Sequence, residues 1–464
     1  MIAEVLNREF VLDAMRQAVA DLDNPDDRRD APPAIQAEVS EAELETARTL
    51  LGAALEREQA QTSGQTRTQP EGEERRGAGG ATLDDAVFIA RDKEISLFQS
   101  VLDDYYEGEH GEDVQTTEDD DRRGGDAEIP PVTDRSLGLI DDDRRLLGSF
   151  QPTDIRWVNC LFAMALRKAE GKHEFNENPA PPVTVADRVR LVVVGDWGTG
   201  LPRAQRVAEQ AAAVLDQGAR AGLEQHVIHL GDVYYSGWKD EYEKRCLKYW
   251  PVERDDADAI GSWSLNGNHD MYSGGDGYFD TLLADPRFER QQRSSWFGLE
   301  NGDWKILGLD TAYDDHDLRD PQADWVAAQA DGSKRTLLLS HHQLFSTDPD
   351  KGGPKLQKKL APVLSSGRVA SWFWGHEHRC VVYERDHGGV GLPSCVGHGG
   401  VPIYASHDEG DKPPAPATYE YYGSMGGVER WTLMGFAVID LDGPAAAIRY
   451  VDENGKEHHM EAIA

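Results

Sequence analysis

The sequence predicts an α/β fold from about residue 151 onward, preceded by a separate helical region. Three observations carry that prediction. Beyond Val185, short apolar runs alternate with segments of helical period. Five glycine-anchored polar motifs follow in order, four of them just past an apolar run. Residues 1–150 instead show apolar residues at helical spacing, interrupted by acidic and glycine-rich stretches.

Taken in order, Ile2, Val5, Leu6, Phe10, Met15, Val19 and Leu22 recur at near-helical spacing and predict a first helix. Ser40 and Glu43 form a capping box ahead of Leu44, Ala47, Leu51, Ala54 and Leu55, a second helix. Residues 61–81 are polar and glycine-rich and read as a linker. Thr82 and Asp85 can cap a third helix carrying Val87, Phe88, Ile95, Phe98, Val101 and Leu102. The acidic run at 107–131 is expected to be disordered. Ile155, Trp157, Val158, Leu161, Phe162 and Leu166 predict a helix over 154–168. Two domains follow: 1–150, an acidic helical and linker region without an assigned role, and 151–464. In the second, buried strands are expected at 191–194, 227–230, 306–309, 336–339 and 369–373, and helices at 204–215 and 321–329. Segments 431–442 and 445–451 read as a closing hairpin about Asp442 and Gly443.

Bulk properties exclude some functions. The 464 residues carry a formal net charge of −36. That charge argues against non-specific binding to nucleic acid or anionic membrane, which depends on Lys and Arg neutralising phosphates. An enzyme of this composition acting on phosphate must bring local positive charge, and metal ions are the obvious source. Cys160, Cys246, Cys380 and Cys395 show no C-x-x-C spacing. The spacing argues against a thiolate zinc site and reads as reduced, buried thiols of a cytoplasmic protein. Charged residues from Glu4 to Asp21 interrupt any secretory apolar core. No stretch reaches the roughly 18 consecutive apolar residues of a membrane span.

The motifs are Gly195-Asp196-Trp197-Gly198, Gly231-Asp232-Val233-Tyr234-Tyr235, Gly267-Asn268-His269-Asp270, Ser340-His341-His342 and Gly375-His376-Glu377-His378. In open α/β sheets the functional crevice lies at the carboxyl ends of strands. Carboxylates, an amide oxygen, a phenol and imidazoles delivered there are the donors that a pair of transition-metal ions takes. Asp196, Asp232, Asn268, His341, His376 and His378 supply such donors, with Tyr235 a further candidate. Trp197 and Trp374 flank these residues and read as packing, Glu377 as solvated, and His398 as structural more than substrate-facing.

The ordered set resembles the calcineurin-like metallophosphoesterases, and within them the purple acid phosphatases. The common superfamily pattern opens with D-x-H, whose histidine ligates the first metal; here that position is Gly198. In the purple group its loss accompanies G-D-x-x-Y, matched here by Tyr235. The resemblance spans about residues 187–400. It implies a β-sandwich of two mixed sheets flanked by helices, making 151–464 the phosphoesterase domain. By resemblance, Asp196, Tyr235 and His378 bind a first metal (iron), and Asn268, His341 and His376 a second (iron, zinc or manganese). Asp232 bridges them, and Asn268 and His269 contact the phosphate, His269 assisting the leaving group. The implied reaction is hydrolysis of a small phosphate ester, a phosphomonoester first, by a metal-bridging hydroxide. A phosphodiesterase or nuclease using the same site, and a non-catalytic scaffold with this fold, stay open as alternatives. The N-terminal helices suggest a protein partner. One departure concerns the histidine that purple enzymes carry shortly after the fourth motif; residues 343–353 contain none.

Overall fold

The computed structural model describes residues 171–464, apart from 331, 348–350, 404–411 and 425–431, together with Leu12, Arg16, Gly52 and Leu55. Those four residues are helical, and the rest of the helices and linkers expected over 1–168, with the boundary at 150, lie outside the described residues. Residues 171–464 belong to one compact unit.

The unit is built on two mixed sheets. One has six strands, running from the C-terminal strands at one edge to the third parallel strand at the other, and the second has eight, with short edge strands at Val183–Thr184 and Ala417–Glu420. In the first, β2 (Arg188–Val194), β3 (Glu224–His229) and β4 (Ile260–Ser264) run parallel. In the second, β6 (Trp304–Leu309), β7 (Arg335–Ser340) and β8 (Val369–Trp374) do the same. Each expected strand falls within or overlaps one of these.

β2 and β7 carry continuous apolar runs because both of their faces are covered. Val189, Leu191 and Val193 of β2 face Ile306, Leu337, Leu339 and Phe373 of the other sheet in one core between the sheets. Val192 and Val194 face outward onto α1 (Pro202–Arg220), whose Ala204, Val207, Ala208, Ala211, Val214 and Leu215 form its buried stripe. The 8-stranded sheet is covered by α2 (Gln322–Ala330), through Val326 and Ala330.

The closing hairpin is β12 (Gly435–Asp442) and β13 (Ala445–Asp452), turning at Gly443 with φ +58°. Sequence pattern does not anticipate β14 (Glu457–Ile463), an edge strand with no buried run, nor β4, whose IGSWS is only half apolar. The first sheet ends at β4, and this strand brings the third motif to the same rim as the first two. All five motifs thus emerge at the carboxyl ends of β2, β3, β4, β7 and β8, three from one sheet and two from the other.

Candidate metal centre

The first two turns are locked to each other by backbone. Asp196 N–H donates to Gly231 O (3.0 Å), Gly198 N–H to Asp232 O (3.2 Å) and Tyr234 N–H to Gly198 O (3.1 Å). A Cβ on Gly198 would lie 2.6 Å from the Val233 side chain and 2.7 Å from its Cα. This close pairing leaves no room for the histidine of the common D-x-H pattern. Gly267 is equally constrained, since a Cβ there would sit 2.0 Å from Asp232 Oδ1.

Two groups of donor atoms meet at the rim. In the first, Tyr234 Oη lies 3.2 Å from Asp196 Oδ1, 3.1 Å from Asp232 Oδ2 and 3.0 Å from His378 Nε2. His378 Nε2 is 3.4 Å from Asp196 Oδ1. In the second, Asn268 Oδ1 lies 2.8 Å from His341 Nε2 and 3.0 Å from His376 Nδ1, and those two nitrogens are 3.2 Å apart. Asp232 Oδ2 belongs to both groups, being also 3.5 Å from His341 Nε2. Donors bound at about 2.0–2.2 Å around one ion stand roughly 3 Å from each other. The spacing in each group therefore fits one cation, with Asp232 between the two.

Supporting contacts aim these atoms. His341 Nδ1–H donates to Leu230 O (3.0 Å), which leaves Nε2 as a lone pair facing the site. Asn268 Nδ2 donates to Tyr272 Oη (2.8 Å), which turns Oδ1 inward. Asp270 accepts from the backbone N–H groups of Asp232 (2.8 Å), Val233 (3.0 Å) and Gly267 (2.6 Å), and from the Tyr242 hydroxyl. One buried carboxylate thus stitches the second motif's turn to the third; burial raises its pKa to about 6 against those hydrogen bonds. Asp196, Asp232, His376 and His378 all hold φ between +51° and +76°. Non-glycine residues in that region are uncommon and collect at functional sites.

Charge is arranged to suit cations. Burial would raise the Asp196 carboxyl, but its His378 hydrogen bond and the nearby His378, His341 and His376 outweigh burial and hold it at about 2. The Tyr234 phenol is pushed far up by burial and by the Asp232 and Asp196 carboxylates, so its ionisation needs a cation beside it. His376 and His378 are half-buried while Asp196, Asp232, Tyr234, Asn268 and His341 are buried, so solvent reaches the centre from the turn after β8. His269 is buried beside Tyr234 and Tyr272, with ring centroids at 4.6 and 4.7 Å. Its Nδ1–H donates to Tyr235 O (2.6 Å), presenting Nε2.

The structure corrects the choice of tyrosine. Spacing from Asp232 picks Tyr235, yet the hydroxyl placed among the donors is that of Tyr234. The reason is the turn that follows. Buried Glu241 accepts from the N–H groups of Tyr235, Ser236 (3.0 Å) and Trp238 (3.0 Å), which fixes the Tyr235 backbone. Its ring then lies under the Arg245 guanidinium, 5.4 Å from centroid to carbon. Glu377 is also not simply solvated: it accepts from Ser346, from Trp374 Nε1 (3.4 Å) and from Tyr383 (3.3 Å).

One residue near the centre, His316, had no readable signal. It lies in the loop after β6 at φ +53° and packs on His342 (3.8 Å between centroids) and against His376 (5.1 Å). It places an imidazole near the centre although residues 343–353 have none. His342 sets its Nδ1 on Thr311 Oγ1 (3.1 Å), with its ring packed against His376 at 4.7 Å between centroids.

Residues 189–380 match the family described as calcineurin-like phosphoesterase. The tartrate-resistant acid phosphatase type 5 of pig (Sus scrofa) is 25% identical over 301 residues, 58% of this chain and 84% of that protein. The human protein of that name is 24% identical, with 58% and 88% covered. Among solved structures, a dimetal phosphatase from Danio rerio aligns over 61% of this chain and 99% of its own, at 16% identity and TM-score 0.40. The chain therefore carries a calcineurin-like phosphoesterase domain similar to the purple acid phosphatases, and is a phosphate-ester hydrolase.

Proposed function

We propose that this chain hydrolyses a small phosphomonoester at a two-cation centre held by Asp196, Tyr234 and His378 on one side and Asn268, His341 and His376 on the other. The observation that carries the reading is Asp232 Oδ2, 3.1 Å from one donor group and 3.5 Å from the other. When bound, such a pair supplies positive charge for the phosphoryl oxygens and lowers the pKa of the attacking water.

The chain's own residues do the rest. His376 and His378 line the solvent-facing rim, and with buried Asn268 behind them bound where a phosphate can sit. His269, held through Nδ1, presents Nε2 to hydrogen-bond a phosphoryl or leaving-group oxygen and to give a proton to the departing alcohol. Trp197, with its Nε1–H on Ala204 O (2.7 Å), anchors the Asp196 turn to α1. The preference for monoesters is supported by relatives whose names are acid phosphatases.

A panel of phosphomonoesters and diesters, assayed on the purified chain with its metals measured, tests the reading. Monoester turnover that is lost with the metals supports it. Faster turnover of diesters moves the chain to the phosphodiesterase alternative, and no turnover by the metal-loaded chain leaves the scaffold reading.

A further inference from the structure

Away from the rim, Cys380, His398 and His458 each offer a donor atom, and the three lie within 4.8 Å of one another. They come from distant parts of the chain. Cys380 opens β9 (Cys380–Tyr383) in the 8-stranded sheet. His398 follows β10 (Leu392–Val396), and His458 lies on β14 of the 6-stranded sheet. The cluster therefore spans the seam between the sheets.

Its polar atoms are unspent. His398 is 2% exposed, and apart from a weak approach to the Val396 backbone neither of its ring nitrogens makes a hydrogen bond; His458 Nε2 makes none either. A buried imidazole whose nitrogens find no partner is destabilising, because the hydrogen bonds it gave up to water are not replaced. His458 is meanwhile pre-oriented. Its Nδ1 is 2.8 Å from Tyr419 Oη, and its ring stacks on Tyr421 at 3.6 Å and 4°. An Nδ1–H donated to that oxygen leaves Nε2 as a lone pair, as for an imidazole that binds metal. Tyr421 N–H in turn donates to Cys380 O (3.0 Å), tying the thiol's strand to the same stack.

We propose that Cys380, His398 and His458 form a second metal site, a thiolate and two imidazoles taking a zinc-type ion. Three atoms no more than 4.8 Å apart share a point within about 2.8 Å of each, so modest side-chain movement reaches bond lengths of roughly 2.0–2.3 Å. One thiolate with two imidazoles is a donor set suited to zinc, and a fourth position is left for water. The ion clasps β9 to β14. It also steadies the phosphate site, because His398 O accepts from Gly435 N–H (3.0 Å) and the next residue, Gly399, donates to Gly195 O (3.0 Å) beside Asp196. The sequence shows no cysteine-pair spacing because the fold gathers these donors from two strands and the turn after a third.

Cobalt tests this directly. The chain is produced in cobalt-supplemented medium and its near-ultraviolet spectrum recorded. Thiolate-to-cobalt charge transfer is expected, and none of the donors of the rim centre is a thiol. The band should persist in Asp232→Asn, vanish in Cys380→Ser, and survive Cys395→Ser. Should Cys380→Ser fail to fold, His458→Ala must alter the band while His459→Ala leaves it. Cobalt ligand-field bands without charge transfer, or a band that survives Cys380→Ser, would overturn the clasp and leave the rim centre untouched.

Discussion

The two donor groups of the rim centre share one carboxylate oxygen and otherwise differ in kind. Around Tyr234 stand two carboxylates and a phenol with a single imidazole; around Asn268 stand two imidazoles and a neutral amide. An anionic, oxygen-rich set favours a hard, highly charged ion, and a neutral, nitrogen-rich set favours a borderline divalent one. The difference teaches that the centre is asymmetric by construction, and that Asp232 is the element the two halves hold in common.

The largest expected effect follows from that sharing. Asp232→Asn should depress activity by about a thousand-fold or more and lower the occupancy of both ions, as assay with elemental analysis will show. Loss of one ion alone would break the comparison by making the halves independent.

Next comes the tyrosine. In iron-loaded protein, Tyr234→Phe should abolish any phenolate-to-iron colour and cut activity on the order of a hundred-fold, leaving the Asn268 side able to hold its ion. Tyr235→Phe should keep the colour. The reverse pattern would return the ligand role to the residue three places after Asp232.

Asp270→Ala touches neither group directly but removes the acceptor of three backbone N–H groups that shape both turns. A ten- to hundred-fold loss is expected. A lowered melting temperature should accompany it, since each orphaned buried N–H costs about 1–3 kcal/mol. The smallest effect on chemistry, and one on stability instead, belongs to Gly198→His. Restoring the common superfamily histidine should destabilise the fold by about 1–3 kcal/mol, because the new Cβ meets Val233. Denaturant titration would detect it, and a stabilised, metal-tighter variant would show that the turn can open.

Much of the centre was legible because each donor sits in a short motif at a strand end, where a glycine marks the turn and the neighbouring polar residue has one place to go. The α/β pattern was legible for the same reason: the central strands β2 and β7 are buried on both faces and read as unbroken apolar runs. Where side-chain direction depended on remote residues, the sequence was silent. Tyr234 and Tyr235 are adjacent, and what separates them is Glu241 gripping the backbone from beyond the turn. His316 reaches the centre from a loop after a strand that carries no motif. β4 and β14 lack a buried apolar run, so neither was anticipated, although β4 delivers Asn268 and β14 delivers His458. Among the described residues no helix is long and apolar enough to cross a membrane.

The shared carboxylate is tested most directly by electron paramagnetic resonance of the manganese-loaded chain. Two ions joined through Asp232 should give the multiline spectrum of an exchange-coupled pair, and Asp232→Asn should collapse it to the signal of isolated ions. A wild-type spectrum of isolated manganese at full occupancy would contradict the account.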